Sequence, residues 1–391
     1  MSGTDAVMLR RLPLDQPLLV GLLGLVLLGL IMVGSASISI ASDHNGNPFY
    51  FLLRQGIYVG LGLVVSWQAL RLPLRFWERL GPYFLLFSMG LLVVVLVPGI
   101  GRNVNGSSRW LGFGPLTIQP SELVKLFSIV YLSGYVVRRS QEVQASIWGF
   151  VKPLLVLGLI VFLLLLEPDF GTSVVVLTVS MGVLFLAGVR IWQFVVLLIP
   201  VVVGLLGLAV VAPYRLQRVL SFLDPWQDAF GKGYQLTQAL IAFGRGEWFG
   251  VGLGGSVQKL HYLPEGHTDF LFAVIAEELG FCGVLTVVGL FSFVVWRIFH
   301  IAARATRIEN FFAAYLCYGV SIWIGFQAFI NIGVNMGILP TKGLTLPLMS
   351  YGGSSVIITC VAMALLLRAS GEIDQAIRQR EAPKSPVQAL S

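Results

Sequence analysis

Apolar residues in this chain run in long blocks with little polar alternation, and ten of the blocks are long enough to span a bilayer. They cover roughly 18–40, 50–70, 80–98, 121–137, 152–167, 171–189, 191–211, 270–296, 311–335 and 352–369. The pattern predicts an all-α polytopic membrane protein of about ten transmembrane helices. Only short breaks separate the fifth to seventh blocks. At the first break, Pro168 disfavours helical backbone at Glu167, and Asp169 is placed to cap the helix that follows. Polar and turn-forming residues gather in four other segments: SDHNGNPFY, the Gly- and Ser-rich 98–122, a long stretch ending at 268, and 336–351. The longer ones interleave aromatic and apolar residues with Gly, which predicts loops packed on one face of the bundle.

Composition agrees with a membrane class. Hydrophobic residues are 56% of the chain and charged residues 12%, and the mean hydropathy is +0.85. The net charge of +7 is not a nucleic-acid signal, because most Lys and Arg flank apolar blocks. Arg10, Arg11, Arg71, Arg75, Arg79, Arg138, Arg139, Arg190, Arg297, Arg304 and Arg307 fall on one side, and the short loops of the other side carry only Arg102, Arg109 and Lys342. The positive-inside bias then puts both termini in the cytoplasm.

This gives a cytoplasmic segment 1–17, a transmembrane domain 18–370 with a large periplasmic loop at about 212–268 between helices 7 and 8, and a cytoplasmic tail 371–391. Cys282, Cys317 and Cys360 lie in apolar helices with no metal or disulfide spacing. The first apolar block reads as a full span rather than a cleavable signal. No nucleotide-binding motif is evident, so no nucleotide cofactor is expected. The lack of a clear internal repeat weakens an inverted-repeat transporter reading.

Several ionisable residues could carry chemistry, and most of them have two readings. His267, Thr268 and Asp269 stand where a polar segment meets an apolar helix. A carboxylate there can take a proton from a bilayer-borne substrate, or it can serve the helix dipole. Glu122 and Lys125 share a helix face and read as a structural ion pair, with a groove-lining role for Lys125 as the alternative. Arg54 reads as a snorkelling side chain. Arg109, Arg215, Arg218, Arg245, Lys259 and Lys342 can offer donors to a diphosphate, or can pair with headgroups and loop carboxylates. At least one of Glu277 and Glu278 must face a polar interior.

Residues 331–355, NIGVNMGILPTKGLTLPLMSYGGSS, resemble the signature of the SEDS family (shape, elongation, division and sporulation). SSRWLGFGPLTIQPSELVK, EPDFGTSVVV and YLPEGHTDFLFAVIAEELG also look like the family, in order along the chain. The resemblance covers about 18–370. Within the family, TKGLTLPLMSYGGSS and DPWQDAFGKGYQLTQALIAFGRGEWFGVGLGGSVQK look like the division-type branch.

The resemblance implies a peptidoglycan glycosyltransferase that polymerises lipid II at the outer face of a bacterial inner membrane, at the division septum. It carries the family's essential acidic residue onto Asp269, as a base for the acceptor hydroxyl. Arg109, Arg215, Lys259 and Lys342, with a possible divalent cation (Mg or Mn), are candidates to stabilise the diphosphate. His267, Thr268 and Ser354 are further substrate-binding candidates. Implied partners are lipid II, the growing glycan strand, a class B penicillin-binding protein transpeptidase, other divisome proteins and membrane lipid. Rival readings are a lipid II flippase and a non-catalytic divisome scaffold. A flippase needs polar groups through the membrane depth, whereas most ionisable residues here gather at the outer edge.

Overall fold

The computed structural model describes residues 14–104, 107–113, 116–196, 224–231, 233–340 and 343–381. Its helices in chain order are α1 (Gln16–Asn45), α2 (Tyr50–Arg71), α3 (Leu74–Leu96), α4 (Pro120–Arg138), α5 (Ser140–Ala145), α6 (Ile147–Leu166), α7 (Phe170–Leu186), α8 (Tyr234–Gly246), α9 (Leu271–Arg307), α10 (Phe311–Asn335) and α11 (Gly353–Glu381). Among the described residues, seven of these are long and apolar enough to cross a membrane, and α7 is a shorter apolar helix. The protein is an all-α multi-pass membrane protein. The seventh expected span, 191–211, is described only as far as 196, and the large loop is described from 224 onward.

Lipid-facing helices invert the soluble pattern. Leu63, Trp67, Leu86 and Phe162 point outward, while Gln55, Ser66 and Ser88 are buried. With hydrocarbon as the solvent, apolar surface costs nothing outside, and polar groups need internal partners. Helix α4 contrasts with these. It packs against α3, α7 and α10, so nearly its whole length is buried and its interior tolerates Ser121, Glu122, Lys125, Ser128 and Ser133.

Most helix starts follow from local chemistry. The Asp15 carboxylate accepts from Leu18 N at the head of α1 (3.0 Å), and Asp169 caps α7 by accepting from Thr172 N (3.2 Å). Helix α3 begins at Leu74, earlier than the apolar block drew it, because Pro73 opens the helix and Pro82 is carried inside it. Helix α9 continues to Arg307, where Arg297 bonds Asp15 (2.9 Å) and Arg304 bonds Asp374. Helix α11 likewise runs past Gly371, where the tail was expected to begin, and Arg380 reaches the Ile308 carbonyl (3.0 Å). The start of α1 and the end of α11 therefore share one end of the bundle.

Two features shape the opposite end. Segment 98–122 contains a three-stranded antiparallel sheet, β1 (Gly101–Val104), β2 (Ser107–Phe113) and β3 (Leu116–Ile118), in the order β1-β2-β3. Its Gly- and Ser-rich sequence did not announce strands. In addition, α9 breaks at Gly280 (φ 64°). The chain after α8 stitches the break: Val251 and Gly252 donate to the carbonyls of Glu277 and Glu278 (3.0 and 3.1 Å), and Phe281 and Cys282 donate to those of Glu247 and Trp248 (2.9 and 3.1 Å). A Cβ at Gly280 would lie 2.3 Å from Gly250 N, so this approach requires glycine.

Candidate functional site

A cleft of about 650 Å³ opens at the end of the bundle away from the termini. One wall is formed by the sheet, through Arg102, Arg109 and Trp110. Arg54 and Tyr58 of α2 and Glu122 of α4 extend the lining. Asp169 and Thr172 open α7, and Glu265, Thr268 and Asp269 precede α9. Residues 343–345 and 351–355 complete it. Arginines and carboxylates thus share one polar hollow at the edge of an apolar bundle, a place suited to a charged headgroup.

Asp269 is held by its backbone. Its carbonyl accepts from Asn331 Nδ2 (2.8 Å) and from Asn335 Nδ2 (3.0 Å), both on α10. Its partly exposed carboxylate has no hydrogen-bond partner among the described residues and lies against the backbone of Gly343, where a Cβ would sit 2.8 Å from Oδ2. Burial, reinforced by the charge of Glu265 and opposed by Arg109, raises the Asp269 pKa from 3.8 to about 7. The group therefore exchanges its proton near neutral pH.

A buried polar chain supports the other side. Lys125 Nζ pairs with Glu122 Oε1 (2.9 Å) and donates to Gln327 Oε1 (3.0 Å). Gln327 Nε2 in turn donates to the Thr345 carbonyl (2.9 Å). The ion pair thereby holds the 343–355 segment from below, through a glutamine of α10. Ser354 accepts from Gln119 N (3.0 Å) and donates to the Thr117 carbonyl (2.9 Å), which ties β3 to the start of α11. Arg109 braces the α6–α7 turn, with Nε and Nη2 on the carbonyls of Glu167 (2.9 Å) and Pro168 (2.6 Å).

Of the residues expected to bind substrate, Arg109, Thr268 and Ser354 line the cleft with Asp269. Thr268 Oγ1 donates to Glu265 Oε2 (2.7 Å), which orients that carboxylate. His267 does not line the cleft. It is buried between the rings of Phe51 and Tyr351 (centroids 4.6 and 5.6 Å away), its carbonyl accepts from Tyr351 N (3.0 Å), and desolvation lowers its pKa, so it serves as a neutral aromatic brace.

Lys259 is also elsewhere, because its ammonium is buried against Glu278 Oε1 (2.9 Å) and Ser35 Oγ (3.2 Å). Arg245, raised with it, pairs with Glu277 (2.7 Å). Arg215, Arg218 and Lys342 lie outside the described residues. Sequence reasoning missed Gln327 and Asn335 as site supports and gave Asn331 only as the start of a motif. An amide at i and another at i+4 inside an apolar helix was the available signal, since a buried amide needs specific partners.

Among the described residues, no cluster of three His, Cys, Asp or Glu forms a protein-built metal cage. The cleft carboxylate of Glu265 fits the other mode of Mg²⁺ binding, in which one or two carboxylates share the ion with substrate phosphates.

Comparison with known proteins gives a consistent result. The profile of the FtsW/RodA/SpoVE family, described as cell cycle protein, matches residues 16–375. A probable peptidoglycan glycosyltransferase FtsW from Nitrosococcus halophilus is 58% identical over 354 residues, 90% of this chain and 91% of the relative. Another of that name, from Allochromatium vinosum, is 52% identical over 94% of this chain and 92% of its own.

Among solved structures, a chain from a peptidoglycan synthase complex that coordinates polymerization and crosslinking superposes with a TM-score of 0.78 at 32% identity, covering 93% of this chain and all (100%) of that one. The rod shape determining protein RodA of Thermus thermophilus gives 0.67 at 30% identity, over 92% of this chain and 97% of its own.

Proposed function

The chain belongs to the FtsW/RodA/SpoVE family, and from that premise we propose that it is a peptidoglycan glycosyltransferase polymerising lipid II into β-1,4 glycan strands. The observation that carries the reading is the Asp269 carboxylate: it faces a polar cleft of headgroup size, has no hydrogen-bond partner among the described residues, and has a pKa of about 7. A base works best when its pKa lies near the working pH.

Asp269 accepts the proton of the acceptor sugar's 4-hydroxyl as that oxygen attacks C1 of the donor chain. The C1–O bond to undecaprenyl diphosphate breaks with inversion, and the diphosphate leaves with the bonding pair. One base and a stabilised leaving group suffice, unlike the paired carboxylates of a glycoside hydrolase. Arg109 and Arg102 of the sheet wall lie where they can hold diphosphate oxygens. A divalent cation, held by Glu265 with those oxygens, would supply further neutralisation. The prenyl tails remain in the bilayer beside the bundle.

The name shared by the close relatives supports a division-type enzyme at the septum of the inner membrane, with lipid II and other divisome proteins as partners. The similar chain from a polymerising and crosslinking complex supports a class B penicillin-binding protein transpeptidase as partner. The test is lipid II polymerisation by purified protein with a transpeptidase that lacks a polymerase domain, comparing wild type with Asp269→Asn. Asn keeps the shape and removes the base, so glycan from wild type and none from a folded, partner-bound variant is expected. Equal glycan from both removes Asp269 from catalysis. Lipid II crossing vesicles without polymerisation by wild type replaces the enzyme with a flippase.

A further inference from the structure

The base is carried by a loop, yet its slot is set from α10. Asn331 Nδ2 has two hydrogens and uses both. One goes to the Asp269 carbonyl (2.8 Å) and the other to the Leu344 carbonyl (2.6 Å). Gly343, the residue beside Leu344, lies against the Asp269 carboxylate, so the same amide ties the base and the backbone that faces it.

Asn335 is one turn further along α10. Its Nδ2 donates to the Asp269 carbonyl (3.0 Å) and to the Asn331 carbonyl (2.8 Å), and its Oδ1 accepts from Ala273 N (3.1 Å) in the first turn of α9. Both amides are buried, at 2% and 0% exposure, so both donors sit away from water. Neither asparagine lines the cleft, so neither touches substrate.

Resting on the glycosyltransferase reading, we propose that Asn331 is the positioning residue of this site: it fixes the distance between the Asp269 base and the Gly343–Leu344 backbone opposite it, with Asn335 locking Asn331 and the start of α9. The amide is the side chain that fits. It must give two hydrogens to two carbonyl oxygens at once, which neither Asp, Ser nor Leu can do. The charged groups that act on Asp269, Glu265 and Arg109, are not held by the clamp. Loss of Asn331 therefore acts through the geometry and solvation of the slot between Asp269 and the Gly343–Leu344 backbone.

The test measures lipid II polymerisation by the full chain with its transpeptidase partner across pH, for wild type, Asn331→Ala and Gly343→Ala. Rates are normalised to folded protein measured by gel filtration and thermal melting. A base displaced by an ångström costs on the order of 100-fold. The expected result for Asn331→Ala is a fall in kcat of about that size, with KM unchanged and the acid limb of the profile moved.

Gly343→Ala, whose Cβ would meet Oδ2, perturbs the slot from the other wall without touching the amides. It is expected to lower kcat and move the same limb. A normalised kcat and pH profile equal to wild type in Asn331→Ala overturns the positioning role and leaves the asparagine a structural one. Wild-type protein that makes no glycan overturns the glycosyltransferase reading itself, a result distinct from the first.

Discussion

Asp269 and the neighbouring pair Glu277 and Glu278 sit on the same short stretch of chain and are treated in opposite ways. Glu277 and Glu278 are fully buried, and donors surround them. Glu277 accepts from Arg245, Ser256, Val257 N and Gln258 N, and Glu278 accepts from Lys259 and Ser35. Asp269 is partly exposed, and its carboxylate has no donor among the described residues. Burial alone does not distinguish a working acid from a structural one. Between Asp269 and this pair, the difference is how many lone pairs the protein has already filled. Glu277 and Glu278 fasten the 256–259 loop to the bundle, while Asp269 keeps its lone pairs for something else.

This contrast can be broken at several points. The largest effect is expected at Asp269 itself. Asp269→Asn should lower the polymerisation rate by about three orders of magnitude, the range for loss of a general base, while the variant still binds its transpeptidase.

Next, Lys259→Met should leave Glu278 buried and half-partnered. The loss expected is about 3–5 kcal/mol of stability, read as a lower midpoint of thermal or denaturant unfolding. The folded remainder should turn over lipid II at the wild-type rate. A lowered rate in that folded remainder would return Lys259 to the site.

The third prediction concerns pH. Polymerisation should rise as pH passes upward through about 7, because Asp269 must be deprotonated to act. Stability should move the other way. Asp269 binds its proton more tightly folded than unfolded, so it favours the folded state below about pH 4, and that contribution is lost as pH rises through about 7. Asp269→Asn should therefore be more stable than wild type at pH 8 and not at pH 4. Thermal melts at the two pH values check this.

In assays without added divalent cation, the smallest effect is expected for Glu265→Gln. Removing that negative charge should shift the acid limb to lower pH by a fraction of a unit, since Glu265 raises the Asp269 pKa.

Much of the helical frame was legible in the sequence. Apolar blocks at 50–70 and 311–335 anticipate α2 and α10 almost to the residue, because a membrane-spanning helix declares itself by length. The cap at Asp169 was legible for a local reason, Pro168 before it and an apolar run after it. Where a helix leaves the bilayer the signal fades: α9 and α11 extend well beyond their apolar blocks, held by Arg297, Arg304 and Arg380 to distant chain.

The site was legible one residue at a time. Asp269 and Arg109 stand in recognisable segments, but the placement of Lys259 away from the cleft depends on Ser35 and Glu278, contributed by α1 and α9. No spacing along the chain encodes that meeting. The same holds for Asn331, whose two carbonyl partners come from either side of it in sequence.

The break at Gly280 also decides which parts of the protein open together. The first turns of α9, which follow directly from Asp269, are tied by backbone hydrogen bonds across the break to residues 247–252, and Glu277 and Glu278 tie them to 256–259. Phe281 and Cys282 donate back to the carbonyls of Glu247 and Trp248, so the same loop also holds the head of the 281–307 run, and the base belongs to one cooperative unit made of both sides of the break and the chain between them. A membrane helix that continued unbroken would have satisfied these backbone groups within itself and left the loop beside the base without that hold.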